Sequence, residues 1–215
     1  MNYKIVDTLF VLLIASILFF SFEVFAKTSN TKLPIVKLNT KNTIPLIGPI
    51  NRELYEKIKK ENLTKKYLYI DSGGGETYYG MKIYELLKNK KRTIIVKRGY
   101  SMAAMISQML PGTVYVTSNS EFMLHPISMK INGSLDEVDL YFLLKSISHE
   151  SSLIYDKIER NRKLNSGFLQ SIFRQNLFVN KRNRPRLYKM FYDKEINLLC
   201  SKRFTKEITT CHNQR

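Results

Sequence analysis

A chain of 215 residues, 44% of them hydrophobic, is long enough to build one domain around a sizeable core. Its 35 Lys and Arg against 18 Asp and Glu give a formal charge of +17, which draws it to anionic surfaces such as lipid headgroups and acidic polymers. No recognised nucleic-acid module accompanies the basic residues, so no nucleic acid is expected as a partner; Cys200, Cys211 and His212 fit no common ligand spacing, so no metal or cofactor is expected either.

Residues 1–26 read as an export signal, with Lys4 in a short polar start, an uncharged run from Thr8 to Phe22, and Val24 and Ala26 placed for cleavage after Ala26. The run is roughly 15 residues, short of the roughly 20 that span a bilayer. The chain is therefore expected to be periplasmic or secreted, and membrane-anchored outside the cytoplasm if the signal stays. Lys27 to Asn42 is a polar, extended lead-in with one short strand at Pro34 to Leu38. Thr43 to Ile50 predicts a strand ended by Gly48 and Pro49, after which Asn51 caps a helix reaching about Asn62, with Leu54 and Ile58 inward.

Tyr67 to Asp71 is the next strand, and Glu76 to Lys88 a helix with Gly80, Met81, Tyr84 and Leu87 on one side. Thr93 to Lys97 reads as a buried strand and Ser101 to Leu110 as a helix that Pro111-Gly112 stops. Val114 to Thr117 and Glu121 to Leu124 predict two short strands separated by a polar turn. After a loop at Lys130 to Ser134, Leu135 to Lys163 has the length of one long helix or two consecutive ones. This alternation predicts an α/β domain over residues 43–199, with parallel strands joined by crossover helices. In the tail, residues 200–215, Cys200 and Cys211 are close enough for a disulfide in an oxidising compartment, two free thiols being the alternative. Basic residues concentrate at Lys57 to Lys66, Lys88 to Arg92 and Lys181 to Lys189, runs that are solvated faces or, for the last, a surface for anionic membranes.

Two stretches carry the chemistry. In Tyr67-Leu-Tyr-Ile-Asp-Ser-Gly-Gly-Gly-Glu76 an apolar run enters a triple-glycine turn; in Arg98-Gly-Tyr-Ser-Met-Ala-Ala104 a glycine turn enters an apolar helix. Without Cβ atoms, Gly73, Gly74 and Gly75 let backbone N–H groups converge on a small anion, and the helix N-terminus adds positive potential. Ser101 would face those donors, the pairing of nucleophile and oxyanion site that acyl transfer needs. Phe122-Met-Leu-His-Pro126 ends a strand on His125, a candidate base. The plain alternatives are a helix cap for Ser101, a strand-end histidine satisfied by backbone for His125, and a tight turn for the glycines.

The order and spacing of Gly48-Pro-Ile50, Tyr67 to Gly75, Gly80-Met-Lys-Ile-Tyr84, Gly99-Tyr-Ser-Met-Ala103 and Phe122 to Pro126 resemble the proteolytic subunit of Clp protease and its relatives in the Clp/crotonase superfamily. The resemblance implies a spiral of β-β-α units with an outlying helical segment, here Leu135 to Lys163, that stacks homo-oligomeric rings. It further implies a serine peptidase acting on peptides or unfolded protein, with Ser101 as nucleophile, His125 as general base, and the N–H groups of Gly75 and Met102 as the oxyanion hole.

Three features depart from the family. Where it places an aspartate, this chain has Arg174-Gln-Asn-Leu177, so Asn176 or Gln175 would orient the imidazole, or a displaced Asp193 or Asp156 would substitute. Gly73 replaces a proline in the first turn. Export would remove the chain from ATP and so from an ATP-driven unfoldase; in exported relatives that use a Ser/Lys pair, Lys97 would be the residue to consider. The expected function is peptide-bond hydrolysis outside the cytoplasm, the alternative a catalytically degenerate binding or scaffolding protein of the same fold.

Overall fold

The computed structural model describes residues 32–128, 134–172 and 177–201. The export signal, Lys130 to Gly133, Gln175, Asn176 and Cys211 lie outside the described residues. Every strand and helix among the described residues belongs to the unit that begins at Pro34.

Four parallel strands make the frame: β2 (Thr43–Ile47), β3 (Tyr67–Ser72), β4 (Arg92–Tyr100) and β5 (Gly112–Leu124), hydrogen-bonded in that order. From Leu68 to Ser72 every side chain of β3 is buried, as a central parallel strand covered on both faces requires. The crossovers are helices α1 (Arg52–Lys59), α2 (Thr77–Leu87) and α3 (Met102–Met109). Asn51 caps α1 by accepting the Leu54 N–H at 3.0 Å, and Leu54 and Ile58 are buried, both as expected. The helix stops short of Asn62, whose side chain instead takes the Thr64 N–H at 2.9 Å and turns the chain toward β3. On α2, Ile83 joins Gly80, Tyr84 and Leu87 on the buried side, while Met81 is only partly covered.

The two strands expected at Val114 to Thr117 and Glu121 to Leu124 form one, β5, with a break in register. Val96 pairs with Val116, but Arg98 pairs with Glu121, so Thr117 to Ser120 bulge outward. Ser120 holds the bulge: its hydroxyl donates to the Val96 carbonyl at 2.5 Å and accepts the Thr117 N–H at 2.8 Å. The break lets two further strands use one edge: β6 (Leu177–Asn180) runs antiparallel along Glu121 to Leu124, and β7 (Lys194–Glu195) parallel along Tyr115 and Val116.

A small sheet not foreseen as a pair joins the two ends of this unit. β1 (Ile35–Leu38) lies parallel to β8 (Asn197–Cys200), and Val36, Leu38, Ile196 and Cys200 bury Tyr69 and Ile95. Cys200, expected to open the tail, is the last residue of β8. Helix α4 (Glu137–Arg162), the outlying segment, begins on the Asp136 cap, which accepts the Asp139 N–H at 2.7 Å. Of its side chains, Ile154, Tyr155, Ile158 and Glu159 are buried, and Val138, Tyr141 and Phe142 stand in solvent. Glu159 receives the N–H groups of Gly167 (2.9 Å) and Leu169 (2.7 Å), which turns the chain into α5 (Phe168–Ile172). A last short helix, α6 (Pro185–Tyr188), follows β6. Among the described residues no helix is long and apolar enough to cross a membrane.

Candidate active site

Parallel strands present their C-terminal ends together, so the turns after β3, β4 and β5 meet at one edge of the sheet. The first turn is fixed by the strand before α1. Ser72 donates its hydroxyl to the Gly48 carbonyl at 2.6 Å and accepts the Gly74 N–H at 3.1 Å. Ile50 then brackets Gly75, donating to the Gly74 carbonyl and accepting from the Glu76 N–H, each at 2.8 Å. Gly75 has φ +148°, and a Cβ on it would lie 2.3 Å from the Ile50 oxygen. A Cβ on Gly74, at φ +86°, would lie 2.5 Å from the Tyr100 oxygen and 2.7 Å from the Ser101 Cβ. The glycines are thus required by backbone approach, and Gly74 is packed directly on Ser101.

Ser101 itself has φ 51° and ψ −125°, a conformation that costs a residue with a Cβ about 1–3 kcal/mol. It does not use its side chain to cap α3, which removes the reason a capping serine would be there. Its N–H donates to the Met123 carbonyl at 2.7 Å, holding the strained residue against β5. The amides of Gly75 and Met102 have no acceptor among the described residues.

His125 follows β5. Its Nδ1 lies 2.5 Å from the Pro126 carbonyl oxygen. A carbonyl can only accept, so Nδ1 is the protonated nitrogen in this contact, and in the neutral ring Nε2 keeps its lone pair. Gly73, Gly75, Ser101, Met102 and His125 line one cavity of about 240 Å³, with Met105, Met123 and Ile127 as apolar wall. No hydrogen bond joins the Ser101 hydroxyl to the imidazole among the described residues, a looseness common where no substrate is bound.

The substitute acids are elsewhere. Asp193 accepts the Val114 N–H at 2.7 Å and pairs with Arg162 at 3.1 Å. Val114 and Met123 pair with Ile94 and Tyr100 on β4, six residues apart, so Asp193 is roughly 20 Å from the edge that carries His125. Asp156 is exposed on α4, and Lys97 sits at the β4 bulge, roughly 13 Å along the strand before Ser101.

On β3, β4 and β5, just before these turns, lies a polar cluster that sequence reasoning missed. Asp71, 2% exposed, receives Arg98 Nε at 3.0 Å, and the Tyr100 hydroxyl donates to Glu121 at 2.5 Å. Register aligns these residues, since Asp71 pairs with Arg98 and Arg98 with Glu121. A carboxylate at the end of an apolar strand and an arginine two residues before a tyrosine were the available signals. Burial, then the Glu121 bond, push the Tyr100 phenol up to about 12. The folded chain therefore holds this proton more tightly than the unfolded chain, whose tyrosines titrate near 10. The resulting stabilisation is complete below about pH 10 and lost as pH rises through about 12. Denaturant unfolding at pH 8 and 11 should show Tyr100→Phe losing less stability than the parent, by on the order of 1 kcal/mol after allowing for partial exposure.

The Clp protease family model matches residues 27–165, well over half of the chain. The chain belongs to the Clp protease family. Its mixed α/β fold, with a largely parallel sheet and crossover helices, is that of the family. Among curated proteins it resembles the ATP-dependent Clp protease proteolytic subunit 3 of Streptomyces avermitilis, at 31% identity over 35% of this chain and 36% of that protein. It also resembles the ATP-dependent Clp protease proteolytic subunit 2 of Treponema denticola, at 28% identity over 48% of this chain and 58% of that one. The chain thus spans less than two thirds of either relative's length.

Proposed function

We propose that this family member is a serine peptidase, with Ser101 as nucleophile, His125 Nε2 as general base and the amides of Gly75 and Met102 as oxyanion donors. The observation that carries the reading is the meeting of a strained, non-capping Ser101, two unengaged amides and a His125 of defined tautomer on one cavity. In this reading the scissile carbonyl oxygen lies between the two amides. As Ser101 Oγ bonds to the carbonyl carbon, its proton passes to Nε2; the imidazolium then protonates the leaving amine, and the C–N bond breaks. Water attacks the acyl-enzyme with its proton going to Nε2, and Ser101 is restored.

The Pro126 carbonyl orients the ring but offsets the imidazolium charge less than a carboxylate would, so turnover is slow. Among the described residues no carboxylate meets the imidazole, and that favours the second reading, a degenerate binding or scaffolding protein. Peptides or unfolded segments are the proposed substrates, taken by a homo-oligomer with α4 as its assembly element and without an ATP-driven partner. The protein acts outside the cytoplasm after cleavage behind Ala26, and Cys200 and Cys211 form a disulfide there.

One experiment tests these points together: fluorophosphonate treatment of protein recovered from the exported fraction, read by intact mass. The expected result is a chain beginning at Lys27, two hydrogens lighter than the reduced form, with one adduct that Ser101→Ala abolishes. A folded sample without adduct would establish the scaffold reading instead. The exposed arginines 182, 184 and 186 are the proposed contact with anionic headgroups. Reversing all three to Glu should abolish sedimentation with phosphatidylglycerol vesicles, and unchanged sedimentation would discard that contact.

A further inference from the structure

At the opposite end of the sheet, below the N-terminal ends of β3, β4 and β5, is a larger cavity of about 540 Å³. Its wall brings together two of the lysine-rich runs: Lys66 from the first, Lys90, Lys91 and Arg92 from the second. Strand register does this, because β3 and β4 begin side by side and Arg92 pairs with Gly112. Lys90 Nζ donates to the Thr64 carbonyl across the cleft. Gly112, at φ +142°, is where a Cβ would fall 1.9 Å from the Arg92 oxygen, so the two backbones close the floor.

None of these four cations has a carboxylate partner among the described residues. Arg92 is the telling case. It is 5% exposed, its two terminal nitrogens donate to the carbonyls of Leu87 (2.7 Å) and Leu63 (3.0 Å), and its buried Nε has no acceptor. A guanidinium withdrawn from water with neither counterion nor full hydrogen bonding is costly, and burial lowers its affinity for the proton. An anion in the cavity would offset that charge and meet the three lysines.

We infer that this cavity is a binding site for a compact multivalent oxyanion of the di- or triphosphate type. The volume suits a small ligand. Lys66, Lys90 and Lys91 and the hydroxyls of Thr93 and Thr113 are the donors such an ion takes, Arg92 adds its buried charge, and no acidic side chain among the described residues lines the wall to repel the ion.

Calorimetry of the full mature chain with inorganic triphosphate tests this. One saturable site per chain is expected, weakened at least about thirtyfold by Lys90→Glu/Lys91→Glu and clearly by Lys66→Glu. These positions are exposed and Lys90 gives up only a surface bond to the Thr64 carbonyl, so the variants should stay folded, with a melting temperature without ligand within a few degrees of the parent. The control Arg182→Glu/Arg184→Glu makes the same charge change elsewhere and should shift affinity less than about threefold. Equal weakening by the control would mean general attraction to a basic chain and overturn the site, as would the absence of saturable binding.

Discussion

Peptide turnover by His125→Ala should fall about 10²–10⁴-fold, the range a positioned acid–base group contributes. Ser101→Ala should fall at least as far, and the double variant no further than the deeper single, because the two act as one unit. The sharper comparison is Asn176→Ala. If the Pro126 carbonyl sets the tautomer, as the 2.5 Å contact to Nδ1 argues, removing the Asn176 amide changes turnover by less than about fivefold. Steady-state rates for the four variants on one extended peptide decide it. Should Asn176→Ala fall as deeply as His125→Ala, the amide and not the carbonyl orients the ring.

Gly74→Ala should remove activity and stability together. The new Cβ would meet the Tyr100 oxygen at 2.5 Å and the Ser101 Cβ at 2.7 Å, and alanine resists φ +86°. Backbone strain and the clash add to a loss of about 2–4 kcal/mol, and a displaced Ser101 should cut fluorophosphonate labelling more than about 100-fold. Gly73→Ala is the matched control, since a Cβ there meets nothing within 4 Å; it should cost less than about 1 kcal/mol. Denaturant midpoints and labelling rates on the pair give both readouts. Wild-type labelling in Gly74→Ala would show that the turn does not position Ser101.

What could be read ahead of the structure is what local chemistry dictates. Asn51 before Leu54 and Ile58 announces α1, the apolar run of Tyr67 to Ile70 announces a central strand, and the triple glycine announces backbone approach. Family resemblance adds the meeting of Ser101 and His125 at one sheet edge. The rest depends on partners distant in sequence or on the backbone itself. Ser120 is a polar residue in a polar stretch, and only the Val96 carbonyl beside it turns an expected loop into a bulge. Pro126 offers no side chain that would suggest it as the imidazole's partner. Asp193 looked available until its bonds to Val114 and Arg162 placed it at the wrong end of β5.

Because Ile35 pairs with Asn197, the β1–β8 ribbon closes a loop of about 160 residues, among the least local contacts a domain of this size can make. Tyr69 and Ile95 therefore stay uncovered until Asn197 to Cys200 are available to pair with β1. The ribbon acts as a late seal. It makes the docking of β8 on β1, rather than formation of the central sheet, the contact that closes the core over Tyr69 and Ile95.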